Sequence, residues 1–183
     1  GGLEAADRLL GRRIVGLLVA LTPEVQWFQA GAVALRLSHE TDLHSRDALV
    51  ALARRPDERS RQEVAKALAE SASALGVTVL GELLKDPALE VAVTAARSLG
   101  RSPGLGTAAL LERSFDGLDW SGKDFPLARE ILGALARTPD ADAGRVLEKI
   151  AGQRTLIKRG HFAEVQDLAR QALAVRSKGG RRP

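Results

Sequence analysis

An internal repeat constrains this chain more than any other feature. In Pro87-Ala88-Leu89-Glu90-Val91-Ala92-Val93-Thr94-Ala95-Ala96-Arg97-Ser98-Leu99-Gly100, residues Val91, Ala95 and Leu99 stand four apart. They form one helical stripe, and Gly100 supplies a stop. The template fits again at Val25 to Val33 after Thr22-Pro23-Glu24, and at Ser60 to Leu68 after Pro56-Asp57-Glu58. It also fits at Leu127 to Leu135 after Phe125-Pro126, and at Val165 to Leu173 after Phe162-Ala163-Glu164. The starts at 25, 60, 91, 127 and 165 are 35, 31, 36 and 38 residues apart. A period of this length marks helical units that stack in series, each packing on its neighbours.

Each of these helices follows another amphipathic stretch: Arg13–Leu21, Arg46–Arg54, Gly76–Lys85, Gly104–Glu112 and Asp142–Ile150. The turns between them carry helix-start chemistry. In Thr22-Pro23-Glu24 and Asp86-Pro87 a side-chain oxygen can accept from free amides while proline takes the first helical position. Thr138-Pro139-Asp140 and Ser102-Pro103-Gly104 punctuate the gaps between units. Composition agrees with helix. Ala and Leu dominate, aromatics are 3%, and Tyr, Met and Cys are absent. The expected fold is all-α, with hairpins near 13–36, 46–71, 76–100, 104–137 and 142–176. These fill a solenoid over 1–178, followed by a flexible basic tail at 179–183. The alternative is a compact Ala/Leu-rich bundle.

The run Leu83-Leu84-Lys85-Asp86-Pro87-Ala88-Leu89-Glu90-Val91-Ala92-Val93-Thr94-Ala95-Ala96-Arg97-Ser98-Leu99-Gly100 resembles the core of a bacterial HEAT repeat. The resemblance is close in that unit and looser elsewhere. The first unit departs most, with Trp27 and Phe28 where small residues are usual, which suits an end cap. The resemblance implies a right-handed superhelix with the second helix of each unit on the concave side. It also implies a role in binding and scaffolding, with no catalytic residues to carry over.

Two units are interrupted. Leu83 to Val91 crosses the third hairpin turn in eight residues, whereas Leu111 to Leu127 takes sixteen in the fourth. The extra segment, 114–125, holds Phe115, Asp116, Asp119, Trp120, Asp124 and Phe125. A second insert, 151–163, carries Arg154, Lys158, Arg159 and His161. Insertions in stacked repeats map to one edge, and neighbouring units lie about 10 Å apart, so the two inserts should be adjacent. Two readings follow. Asp116, Asp119 and Asp124 pair with Arg154, Lys158 and Arg159 and close the C-terminal end. Otherwise Phe115, Asp116, Asp119, Trp120 and Asp124 form a partner-binding rim with Trp120 as its anchor.

The formal net charge of +4 is unevenly spread. Residues 1–150 hold 19 Lys/Arg and 21 Asp/Glu, whereas residues 151–183 hold 8 and 2. A basic surface is therefore expected only at the C-terminal end, from Arg154, Lys158, Arg159, Arg176, Lys178, Arg181 and Arg182. On the second helices the outward positions are expected to be Glu24, Gln29, Gln62, Lys66, Glu90, Thr94, Arg129, Glu130, Gln166 and Asp167. Their mixed signs do not suit a phosphate-tracking groove. Some HEAT-like solenoids are DNA glycosylases that grip a lesion with Trp, Asp and Arg. The only tryptophans here, Trp27 and Trp120, fall in separate units, and that activity ranks third.

Other chemistry finds little support. His39-Glu40-Thr41-Asp42-Leu43-His44 places its histidines five apart, not the four of a zinc-binding H-E-x-x-H helix. No nucleophile signature or phosphate-binding glycine loop is present, so no catalytic residue, metal or cofactor is expected. With no cysteine, disulfides and thiolate sites are excluded, and a reducing compartment fits. The apolar run Ile14 to Leu21 is far shorter than a membrane span of about 18 residues. The expectation is a non-catalytic interaction domain, the C-terminal part of a larger cytoplasmic bacterial protein, binding a protein partner. A nucleic-acid-associated module using the basic end is the alternative.

Overall fold

A computed structural model describes residues 2–102, 106–120, 122–153 and 161–179. Among them are ten α-helices and no strand: α1 (Gly2–Leu21), α2 (Trp27–Ser38), α3 (Leu43–Ala53), α4 (Glu58–Ala67), α5 (Ala74–Leu83), α6 (Leu89–Leu99), α7 (Thr107–Asp116), α8 (Phe125–Arg137), α9 (Ala143–Gly152) and α10 (Phe162–Gly179). Short polar side chains set several starts. Asp42 accepts from Ser45 N at 2.9 Å, Asp57 from Ser60 N at 2.8 Å, and Ser73 from Gly76 N at 2.9 Å, each satisfying an amide that the helix leaves free. Two ends differ from the sequence reading. α1 begins well before Arg13. α7 runs through Ser114, Phe115 and Asp116, which the sequence reading assigned to the 114–125 insert, because Phe115 continues the buried stripe of Ala108 and Leu111.

Alternate helices pack on one another. α2 lies on α4, α4 on α6, α6 on α8 and α8 on α10; in parallel, α1 lies on α3, α3 on α5, α5 on α7 and α7 on α9. Within units, α3 packs on α4, α5 on α6, α7 on α8 and α9 on α10. The first pair is different, because α1 rests chiefly on α3 and on the 3-10 turn Thr22–Glu24. Between the two layers run fully buried leucines and isoleucines, among them Leu37, Leu52, Leu68, Leu80, Leu99, Leu111, Ile131 and Leu147. Among the described residues, no helix is long and apolar enough to cross a membrane.

Small residues let the even helices approach closely. A Cβ on Gly31 would lie 2.9 Å from Glu63 O of α4, and one on Gly100 would lie 2.7 Å from Ala134 Cα of α8. Ala30, Ala34, Ala65, Ala95, Ala96, Ala128 and Ala134 are all fully buried. Helix axes come within about 8 Å only when such residues meet.

Buried hydroxyls recur at the unit joints. Ser38, Ser71, Ser102 and Thr138 are at most 1% exposed and are spaced by 33, 31 and 36 residues, the period of the repeat. The Ser38 and Ser71 hydroxyls share a bond of 2.8 Å, Ser102 Oγ donates to Ser71 O at 3.4 Å, and Thr107 and Thr138 share one of 2.7 Å. Each is thereby satisfied away from water.

Guanidinium groups tie consecutive units together at their turns. Arg61 reaches Asp86 through Nε at 2.7 Å and Nη2 at 2.9 Å, and also donates to Arg55 O and Pro56 O. The hydrogen bond to Asp86 holds its pKa above the usual arginine value. Arg55 donates to Val25 O one unit back. Glu130 bridges Arg97 and Arg137; burial pushes its carboxyl up, but the two arginine hydrogen bonds outweigh this and hold it below the ordinary range.

Gly100→Ala should therefore destabilise the chain by about 1–3 kcal/mol through overpacking against Ala134. Gly16→Ala in α1, where an added Cβ meets nothing within 4 Å, should be neutral or stabilising by about 1 kcal/mol. Urea denaturation of both variants checks the pair. Equal effects would mean that the α6–α8 contact is not close.

Candidate functional site

The insert folds inward. Phe115 is fully buried, so its ring faces the core and not a rim. The Trp120 ring tilts against it with centroids 4.9 Å apart and stacks on Phe162 at the start of α10, at 6.1 Å and 21°. Its indole N–H donates to Phe115 O at 3.3 Å. Phe125 stacks on His161, centroids 3.9 Å apart. Aromatic stacking of this kind holds the insert between α7 and α10 as a plug. Trp120 is half-buried and its polar atom is already bonded, which leaves it little to offer as a docking anchor.

The aspartates differ in their placement. Asp116 is exposed and pairs with Lys149 of α9 at 3.3 Å, which also holds Glu112 at 2.7 Å. Those bonds, Glu112's first, raise the Lys149 pKa. Asp124 is half-buried and accepts from Asp119 N at 3.2 Å, which closes the loop on itself. The expected pairing with Arg154, Lys158 and Arg159 lies outside the described residues, as do Arg181 and Arg182. Lys178 belongs to α10, with its side chain outside the described set. Arg176 is described, and it does not stand free. Its guanidinium donates to Leu135 O, Thr138 O and Asp140 O, fastening α10 to the end of α8.

Of the ten expected outward positions, Glu24, Gln29, Lys66, Glu90, Arg129 and Asp167 are exposed, and the other four are taken up by neighbours. Thr94, expected to point outward, is 6% exposed; it donates to Glu90 O at 2.7 Å and accepts from Gln62 at 3.4 Å. Gln166 donates to Ala151 O and Gln153 O, and Glu130 is taken up by its two arginines. Beside these polar positions the layer exposes two aromatic rings. Trp27 is 45% exposed and Phe28 62%, set edge to face with centroids 5.8 Å apart. Arg59 of α4 lies over the Trp27 ring at 5.8 Å. On α1, Ile14, Leu17 and Leu21 form an outward stripe, each at least half exposed.

In the 39–44 segment the two acidic side chains are engaged locally, and His39 and His44 are exposed. Glu40 pairs with Arg36, and Asp42 caps α3; the Ser45 hydroxyl lowers the Asp42 pKa. Among the described residues, no three of His, Cys, Asp or Glu are grouped to hold a metal ion. Sequence reading missed one feature altogether, a cleft of about 560 Å³ between α3 and α5. The sequence matches no protein-family model and no curated protein.

Trp120→Ala should cost about 3 kcal/mol, the lower end for truncating a packed aromatic. Trp27→Ala, at an exposed ring, should change stability by about 0.5 kcal/mol or less. Thermal or urea denaturation separates the two tryptophans, and a neutral Trp120→Ala would return that residue to a free rim.

Proposed function

We propose that this chain is a HEAT-like solenoid that serves as a non-catalytic protein-interaction scaffold. The observation that carries the reading is the serial packing of the helices. Odd helices contact odd neighbours, even contact even, and the buried hydroxyls repeat with the same period. A frame of this kind leaves the outer face of each layer open along its length. The resemblance of residues 83–100 to a bacterial HEAT repeat supports the same assignment, including a right-handed sense and concave even helices.

The Trp27–Phe28–Arg59 cluster supports a protein as the partner. Tryptophan and arginine are enriched where interfaces concentrate their energy, and here they are braced against each other in the open. The aromatic plug at 115–125 takes the role of a structural closure, and the binding surface moves to the N-terminal half. The excess of Lys/Arg over Asp/Glu in residues 151–183, 8 against 2, favours a second reading, a phosphate-binding module at the basic end.

Affinity capture from a bacterial lysate, with and without nuclease, tests the two readings. The scaffold reading expects a discrete protein set that survives nuclease and is lost from a Trp27→Ala/Phe28→Ala chain. Capture that vanishes with nuclease, and weakens steeply with salt, would support the basic end instead.

A further inference from the structure

We propose that the cleft between α3 and α5 is a docking groove for an acidic peptide segment whose carboxylates flank apolar side chains. The inference rests on the scaffold reading above and names the chemistry of one partner surface. Arg46 and Val50 on α3 and Arg54 at its C-terminal cap stand four apart, while Leu75, Val79 and Leu83 do the same along α5. The two stripes face each other across about 560 Å³. Pro56 and Pro87, in the turns that Arg61 and Asp86 tie together, close one end. At the other end the groove continues into a second cleft of about 450 Å³, which shares Arg46, Leu75 and Thr78.

Charge selects the occupant. The groove is lined by five Lys/Arg and two acids, in a body whose residues 1–150 hold more acids than bases. Arg61 and Asp86 neutralise each other and Arg55 is bonded to Val25 O, but Arg46, Arg54 and Lys85 are exposed and form no ion pair with a described residue. Exposed cations above an apolar floor suit a ligand with carboxylates over aliphatic groups. From its proline-closed end the trough runs along two helices into the second cleft, which suits a chain more than a compact molecule. It has no aromatic lining residue on which nucleic-acid bases could stack. Arg46 and Arg54 are about 12 Å apart along the helix, and an extended peptide covers that in three or four residues. Glu82, an acid of the lining with no ion-pair partner among the described residues, opposes such a ligand.

The test is selection of a random peptide library displayed on phage against the full chain, followed by anisotropy titration of the enriched peptides. The expected peptides carry Asp or Glu three or four residues apart with Leu, Ile or Val between. Their affinity should fall about tenfold or more in Arg46→Glu/Arg54→Glu, since the reversed charges repel the ligand's carboxylates. It should also fall in Thr78→Trp, which fills the groove without changing charge, and rise in Glu82→Gln. Arg170→Glu, far from the groove in sequence and on α10, should leave it unchanged, and unaltered melting of the variants guards against misfolding. No enrichment, or peptides that bind the charge-reversed and plugged chains as well as the parent, would overturn the proposal. If those peptides instead lose binding in Trp27→Ala/Phe28→Ala, the scaffold reading survives and the groove alone fails. A single-stranded oligonucleotide that displaces the peptides and is lost in Arg46→Glu/Arg54→Glu would reassign the groove to nucleic acid and equally overturn it.

Discussion

The close approach of consecutive even helices sets the geometry on which everything else here rests. Gly31 against Glu63 and Gly100 against Ala134 leave no room for a side chain, and the alanines around them extend the same tight seam from α2 to α8. Once those axes are close, the joints can bury their hydroxyls: Ser38 bonds Ser71, Ser102 reaches Ser71 O, and Thr138 bonds Thr107 at the start of α7. A buried hydroxyl without a partner costs about 1–3 kcal/mol, so the joints tolerate little slippage. The odd helices are then carried at a fixed spacing, and that spacing opens the α3–α5 cleft.

Electrostatics adds register to this packing. Arg55, Arg61 and Arg176 each cross from one unit to another and end on turn carbonyls or, for Arg61, on a carboxylate. Arginine suits the task because its planar fork can satisfy several acceptors at once. These contacts withdraw cations from the surface. Arg176, which looks like part of a basic patch in the sequence, is spent on holding α10 in place, whereas Arg46, Arg54 and Lys85 remain available.

The helices were legible because stripes such as Ser60-Val64-Leu68, Val91-Ala95-Leu99 and Leu127-Ile131-Leu135 are buried as their spacing implies, although Gln29 in the first such stripe is exposed. The caps were less so: the Thr22 hydroxyl donates back to Leu18 O, and α6 starts after Ala88 with no side-chain cap. The direction of single side chains was not legible. Trp120 looks like an exposed anchor in a polar loop until α10 supplies Phe162 to stack on, a contact across 42 residues. Thr94 looks outward until Gln62 of the preceding unit meets it. The groove was hidden for the same reason. Its charges come from two units, and within either one they read as an ordinary solvated face.

In the proposed solenoid the units stack in line, so that the first and last are kept apart. The chain has no cysteine, which allows spin labels at Ala20→Cys and Val175→Cys, both exposed positions on α1 and α10. Four steps of about 8–10 Å between successive units place the labels more than about 30 Å apart, and a single narrow distance distribution in that range by electron spin resonance is the expected result. A distance below about 20 Å, as in a closed bundle whose ends meet, would contradict the serial stack and the scaffold reading built on it.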